Sequence, residues 1–506
     1  MKYVGIASTV AGLGTASATA TIDDSHEDGH GDAPRGTIEK LGQALPEDPP
    51  RYTYGQVRED GMYGAISSFA SQGNDFTSSL FDLSDLENPE EVHRIEPPND
   101  ETRSNDIKFD GTRDGIYYRS MEADDFDEDD QVGEMGIEVI DYGYADGTAE
   151  DPEIIATLNT PNTGVHKLTE HPDETIIYLV DKDGEEPGVF TVDVEDPVNP
   201  EIVDFAGPDG YCHDLEVDMT RDALHTAYIS GDFIGYVIFD LSDPYAPEEL
   251  SRIDYADLPD YEEIGTAGFE SCHQATFDPE RDIAVVGDEV GSGIPGGKHF
   301  YDIGWDEGSP EDPIHIGFTH SPNAVEQDDD EPFFWTTHFA NVVPCGDTTL
   351  LVDGGYHEGV WVADMTDPTN PQLSQQFQTR EDEELIPQLG SGPVTPFLDP
   401  LHPPFVWSVE YNKERDFIFA SDSLTGAYTF DVSPEEFEFR TIEEELAQTY
   451  EPRDEIGGQG LALAQHYNEE HATVPNTGGQ VLTDDILAEI EDQVDEDPDE
   501  TVITHH

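Results

Sequence analysis

Four histidines recur at one place in a repeating pattern. They are His166 in "HKLTEHPDETIIYLVD", His213 in "HDLEVDMTRDALHTAYIS", His273 in "HQATFDPERDIAVVGDE" and His338 in "HFANVVPCGDTTLLVDGG". Each opens a short alternating segment, followed by an Asp/Pro/Gly turn and a second, more apolar segment. That pattern reads as two antiparallel strands. Neutral imidazoles that converge on one point are ligands for copper, iron, zinc or nickel, with each nitrogen about 2 Å from the ion. In the segment before these four, Asn105 fills the same place ("NDIKFDGTRDGIYYRS"), and in the segment after them Trp407 does ("WSVEYNKERDFIFASDS"). Side chains so far apart in sequence meet only if the fold brings equal places in successive repeats around one axis.

A second motif follows each of these segments: a strand ending in Asp, then a turn carrying Pro. Clear copies are "LFDLSDLENPEEV" from Leu80, "FTVDVEDPVNPEIV" from Phe190, "VIFDLSDPYAPEEL" from Val237 and "VWVADMTDPTNPQL" from Val360. Weaker copies start at Ile137, His299 and Ala427. Each unit therefore reads strand A, turn, strand B, loop, strand C, Asp-Pro turn, strand D. Units of this kind cannot bury both faces alone and must stack. The expected fold is all-β, a seven-bladed β-propeller of four-stranded antiparallel blades over residues 51–440. The period is about 56 residues, longer than the ~40–50 of familiar blades. The first copy of strand A, around Tyr52 to Val57, is the poorest match, and the ring is expected to close there by borrowing a C-terminal strand.

The "F-D-L-S-D-P-x-x-P" copies resemble the LVIVD-repeat family of β-propeller proteins, over about 390 residues. That resemblance implies the fold and says little about activity. In architecture and in its four-histidine register the chain is also similar to the carotenoid oxygenases and to the selenium-binding, methanethiol-oxidase-like propellers; no motif of theirs is carried over.

In a propeller, strand A is innermost, so one register means one height along the axis. The D-to-A and B-to-C connections share the end where strand A begins. That mouth should also receive His357 and Glu358 of "GGYHEG", Asp288 and Glu289 of "GDEVGSG", and His402 of "LHPPF". The expected metal ligands are His166, His213, His273 and His338. Glu289, Glu358, His357, His402 and Asn105 are expected as supporting or additional ligands. The alternative is that the histidines line a wet channel. Cys212 and Cys272 each precede one of these histidines and should face inter-blade packing, since successive strand residues point oppositely. Cys345 falls in a turn at the far end. His299 and His315 are expected on outer strands, in water. The Asp spacing before Pro fits an Asx turn better than a calcium loop.

The chain has 506 residues, with 21 Lys plus Arg against 115 Asp plus Glu, a net charge of −94. Nucleic acid and anionic membranes are poor partners for that field. Its 24 Phe and 21 Tyr recur in order, which rules out an acidic disordered chain. The composition suits concentrated brine. Residues 1–20 have the outline of a secretory signal ending in Ala18-Thr19-Ala20, 21–50 read as a linker, and 441–506 as an acidic tail, partly helical or disordered. The resulting expectation is an exported, metal-binding propeller at the cell surface or outside it, monomeric, acting on an unknown small molecule. The competing expectation is a non-catalytic module that binds a cell-surface protein. A lactonase-like calcium hydrolase ranks last, because the shared register holds His rather than Asp or Asn.

Raising salt from about 0.1 M to about 1 M shortens the screening length from ~10 Å to ~3 Å. The thermal midpoint, followed by circular dichroism, should rise across that range. A midpoint indifferent to salt would remove self-repulsion as the dominant surface term.

Overall fold

The computed structural model describes residues 35–46, 49–69, 76–123, 134–160, 164–180, 188–261, 268–321, 335–377, 379 and 404–436. All belong to the unit Pro34–His506, which is separate from Met1–Ala33. The expected signal and acidic tail lie outside the described residues.

Strand β1 (Arg35–Ala44) comes first and pairs last. The first complete quartet is β2 (Arg51–Val57), β3 (Tyr63–Phe69), β4 (Ser78–Asp82) and β5 (Glu90–Ile95). In the next, the inner strand is broken into β6 (Thr102–Arg103) and β7 (Ile107–Phe109), both pairing β8 (Ile116–Ala123), which is followed by β9 (Gly136–Asp141) and β10 (Glu153–Asn159). Then come β11 (Leu168–Glu170), β12 (Ile176–Val180), β13 (Val189–Asp193) and β14 (Glu201–Ala206). The fourth quartet is β15 (Tyr211–Asp218), β16 (Ala223–Ser230), β17 (Gly235–Asp240) and β18 (Glu248–Asp254). After it come β19 (Cys272–Phe277), β20 (Ile283–Asp288), β21 (Lys298–Asp302) and β22 (Ile314–Thr319). Finally β23 (Phe339–Cys345), β24 (Thr348–Gly354), β25 (Val360–Asp364) and β26 (Gln372–Phe377) precede β27 (Val406–Asn412), β28 (Phe417–Asp422) and β29 (Gly426–Glu436). The last two groups are joined into one eight-stranded sheet by a parallel bridge, Phe339 to Ser408, and an isolated antiparallel bridge, Tyr356 to Val406.

Within each group consecutive strands pair antiparallel. The second and third strands are buried almost throughout, whereas outer strands such as β10 and β14 alternate between exposed and half-buried positions. The inner strands contact one another in a closed cycle, from β2 through β7, β11, β15, β19, β23 and β27 back to β2. A ring of four-stranded antiparallel sheets around an axis is a β-propeller.

The ring closes differently from the sequence expectation. The first group is complete in itself, and it is the last one that borrows. Residues 35–44, read as linker, form β1, which pairs antiparallel with β29 from Ala44–Ala427 to Arg35–Glu436. The sequence hid this because "RGTIEKLGQA" lacks strict polar/apolar alternation, and the β1–β29 register shifts twice along its length.

The Asp that ends the third strand caps the following turn. Asp82, Asp141, Asp193, Asp240, Asp302 and Asp364 each accept the backbone N–H two residues on. This is Asx-turn chemistry.

The scarce cations tie neighbouring sheets. In the turns between first and second strands, Arg113, Arg221 and Arg281 each pair with the Asp three residues before, at 2.5 to 2.6 Å. They also donate to carbonyls of the next sheet: Val194, Arg281 and Met365 respectively. Arg415 reaches the carbonyl of Leu83 in the same way, across the closure.

Near the histidines, side chains lace the inner strands laterally. Asp106 accepts the N–H of Leu168, Asp214 that of Ala275, Gln274 that of Ala340 and Ser408 that of Gly55, at 2.9 to 3.1 Å. Gln56 accepts the N–H of Phe109 at 2.7 Å, and the Lys167 ammonium lies 3.7 Å from Asp214.

Ile38 of β1 is 2% exposed, in a cluster with Val343, Leu350, Ile418 and Phe430. Ile38→Ala should lower unfolding free energy by about 2–5 kcal/mol, measured by denaturant titration in high salt. A change indistinguishable from zero would mean that β1 does not hold the ring shut.

Candidate metal centre

The four register histidines stand side by side. Ring centroids are 4.6 Å apart for His166–His213, 4.1 Å for His213–His273 and 4.7 Å for His273–His338. His338 directly precedes β23, His166 stands two residues before β11, and His213 and His273 lie just inside β15 and β19. The lacing residues Asp106, Asp214, Gln274 and Ser408 directly follow four positions of the same register, Asn105, His213, His273 and Trp407. Side-chain alternation therefore turns the register residues to the other phase, toward the axis.

Three of the four imidazoles are fixed through Nδ1. That of His338 lies 2.5 Å from the Trp407 carbonyl, and that of His213 lies 3.1 Å from the His273 carbonyl. A carbonyl only accepts, so Nδ1 carries the proton and Nε2 the lone pair. Nδ1 of His166 sits 3.1 Å from both oxygens of Glu122, which also pairs with the buried Arg103 at 3.0 Å. A second partner on Nδ1 is what orients histidines that bind metal through Nε2. The Nδ1 of His273 is buried with no hydrogen-bond partner.

Between His273 and His338 lies Glu289, just beyond the end of β20. Its Oε2 is 3.5 Å from Nε2 of His273, and its Oε1 is 3.7 Å from Nε2 of His338. Among the described residues, His273, Glu289 and His338 form the one group of three whose ligand atoms all lie within 4.8 Å of one another. Burial, then the neighbouring imidazoles, hold His273 well below its ordinary pKa; burial, then His166 and His338, do the same for His213, and burial also lowers His338. Burial pushes the Glu289 carboxyl up to about 7. These contacts are therefore not ion pairs at neutral pH. They are neutral nitrogens facing a carboxyl held short of full ionisation, an arrangement that a cation would relieve.

The supporting residues divide. Glu289, expected as a supporting or additional ligand, brings its carboxylate oxygens next to Nε2 of His273 and His338. Asn105 donates to the His166 carbonyl at 3.2 Å and so positions backbone. His357 packs edge-on against Phe405. Glu358 turns to its own sheet, accepting from Gln376 at 2.9 Å, and is not in the group. Asp288 accepts from the Tyr255 and Tyr261 hydroxyls and from the backbone N–H of Glu270. His402 lies outside the described residues. Cys212 and Cys272 are fully buried in the packing between sheets, and Cys345 is buried in the last core cluster. His299 corrects the expectation of a solvated side chain: it is fully buried, stacked on Phe269 at 4.2 Å and 3.0 Å from Nε2 of His315. The strand β21 that carries it is covered by β22 and by the segment at Phe269.

Sequence reasoning missed two residues. Tyr356 donates to Oε1 of Glu289 at 2.6 Å and stacks on His338 with centroids 4.2 Å apart. Phe339 lies beneath the imidazoles, 4.8 Å from His273 and 4.4 Å from His338. Tyr356 sits in the "GGYHEG" loop expected at the mouth, but its backbone φ of 44° turns it, rather than His357 or Glu358, to the site.

Deeper along the axis the lining becomes acidic. Gln56 donates to Glu170 at 3.0 Å, from the first sheet to the third, so both point inward. Burial raises Glu170 to about 7 and Glu216 to about 8, and it also raises Glu410.

No protein-family model matches the chain, and no curated protein matches it. Among solved structures, it is similar to the β-propeller domain of Cps50 (Swd1) from Myceliophteria thermophila, at 10% identity and a TM-score of 0.46, covering 78% of this chain and 99% of that one. The propeller architecture stands here on strand topology alone. Among the described residues, no helix is long and apolar enough to cross a membrane.

The Glu216 pKa of about 8, against an ordinary 4.5, means that the folded state holds a proton the unfolded chain has released. Stability contributed this way is present below the lower value and is lost as pH rises through the upper one. At fixed high salt, Glu216→Gln should flatten the decline in thermal midpoint between pH 5 and pH 8. A variant that declines as steeply as wild type would place that carboxyl in bulk-like water.

Proposed function

We propose that this chain is an exported, seven-bladed propeller of the LVIVD-repeat type that holds a divalent transition-metal ion at the mouth of its axis. His273, His338 and Glu289 are the core ligands. His213 is the adjoining imidazole, and His166, oriented by Glu122, stands beyond it. The closed cycle of inner strands and the repeated Asp-ended third strand support the blade count. The leader-like first 20 residues and the charge of −94 support export into brine.

One observation carries the metal reading: two imidazoles whose Nε2 atoms both face one buried carboxylate, all within 4.8 Å. For His338, Nδ1 is already committed to a carbonyl, which leaves Nε2 as the donor. Two nitrogens and one carboxylate with positions left open is the donor set of non-haem ferrous sites that handle oxygen; zinc and copper also accept imidazole. Such an ion supplies a Lewis-acidic or one-electron centre at its open positions. The residues around it restrict access. His273 and His338 are each 2% exposed, and Phe339 lies beneath them, so the exogenous ligand is a small molecule.

Protein expressed with iron, copper and zinc supplied should carry stoichiometric metal by elemental analysis. Glu289→Ala and His338→Ala should each weaken binding by more than about 100-fold, beyond the usual effect of losing an outer partner. His299→Ala should keep the metal. Folded wild type without bound metal under all three supplements would leave the interaction-module reading in its place.

A further inference from the structure

We propose that Tyr356 is a positioning residue that restricts Glu289 to one-oxygen coordination and so keeps a place open on the ion for an exogenous small ligand. The inference rests on the metal reading above and concerns the part of the site that reading leaves undetermined, namely how many positions the carboxylate takes.

A carboxylate can bind an ion through one oxygen or through both. In the second mode it occupies two positions. Two imidazoles and a chelating carboxylate would leave a four-coordinate ion no vacancy. Here one oxygen of Glu289 is already engaged, because the Tyr356 hydroxyl donates to Oε1 at 2.6 Å. Oε2, the oxygen facing His273 at 3.5 Å, is left for the ion.

The phenol is held firmly enough to enforce this. Its ring stacks on His338 with planes 29° apart. Its backbone exchanges two hydrogen bonds with Val406 of the next sheet, at 2.9 and 3.0 Å. Its φ of 44° lies in the left-handed region that a bulky side chain rarely adopts. A pose of that kind persists only where surrounding contacts fix it, and such poses gather at ligand sites. Glu289 is anchored from its own side by a hydrogen bond from its N–H to the Ser271 carbonyl, at 3.0 Å. The hydroxyl and carboxylate thus meet from two sheets, each with its backbone pinned.

The probes are Co(II) for the ion and azide for the exogenous ligand, both read by visible absorption. Wild type and Tyr356→Phe should bind Co(II) with similar affinity. The azide dissociation constant should rise about 10-fold or more in the variant, the usual scale for an outer partner, as Glu289 swings to chelate. A merely structural tyrosine would weaken Co(II) and azide together. Equal azide affinity in the two proteins overturns the inference and leaves the metal site standing. Wild type that takes up no Co(II) overturns the site and the inference with it. X-ray absorption on Co(II)-loaded wild type gives a test that needs no variant: a one-oxygen carboxylate is expected, and a chelating one overturns the proposal.

Discussion

Neighbouring sheets in this ring share almost no strand ladder, so something else must fix one inner strand against the next. Side chains do it. Asp106, Asp214, Gln274 and Ser408 each accept a backbone N–H from the strand beside them. A slip of one residue would break every such bond and leave buried carboxylates and amides without partners, at about 1–3 kcal/mol or more for each. That penalty fixes height and phase together. Because the lacing residues follow the register residues directly, whatever fixes one fixes the other, and the imidazoles face one another as a result. Lys298 reinforces the point by bonding Gln274, the His338 carbonyl and Asp353 at once.

The charge distribution follows a similar economy. A chain with 21 basic residues has little cationic side chain to spare for its surface. Arg113, Arg221, Arg281 and Arg415 are used where one sheet meets the next, and Lys167 and Lys298 are wholly buried near the axis. Surface acid interacts with the solvent, and internal cations hold the architecture. Salt screens the former far more than the latter.

Much of the architecture could be read from the sequence because the repeat is local. The Asp that ends each third strand bonds a residue two places away, and the "D-x-x-R-D" turns pair an Asp with an Arg three places on. Such signals survive in a single sequence. The juxtaposition of His166, His213, His273 and His338 was legible for the same reason, since equal register implies equal height. What escaped were contacts that no repeat dictates. Tyr356 enters through a backbone angle that its neighbours in "GGYHEG" do not announce, and Glu358 is diverted by Gln376 from an adjacent but outer strand. His299 looked solvent-facing because its strand is third of four, yet the segment at Phe269 covers it. The closing strand was hidden because its partner lies almost 400 residues away.

That closing strand orders events in the cell. The first segment of the ring to leave the ribosome has as its partner the last one to be made, so no partial chain can complete the circle. Until residues 427–436 arrive, both flanking edges offer unsatisfied backbone groups to any passing strand. Contacts this distant also form slowly. A dense negative charge on every nascent copy disfavours contact between such unfinished rings while they wait, so the same acidity that dominates the finished surface also guards assembly.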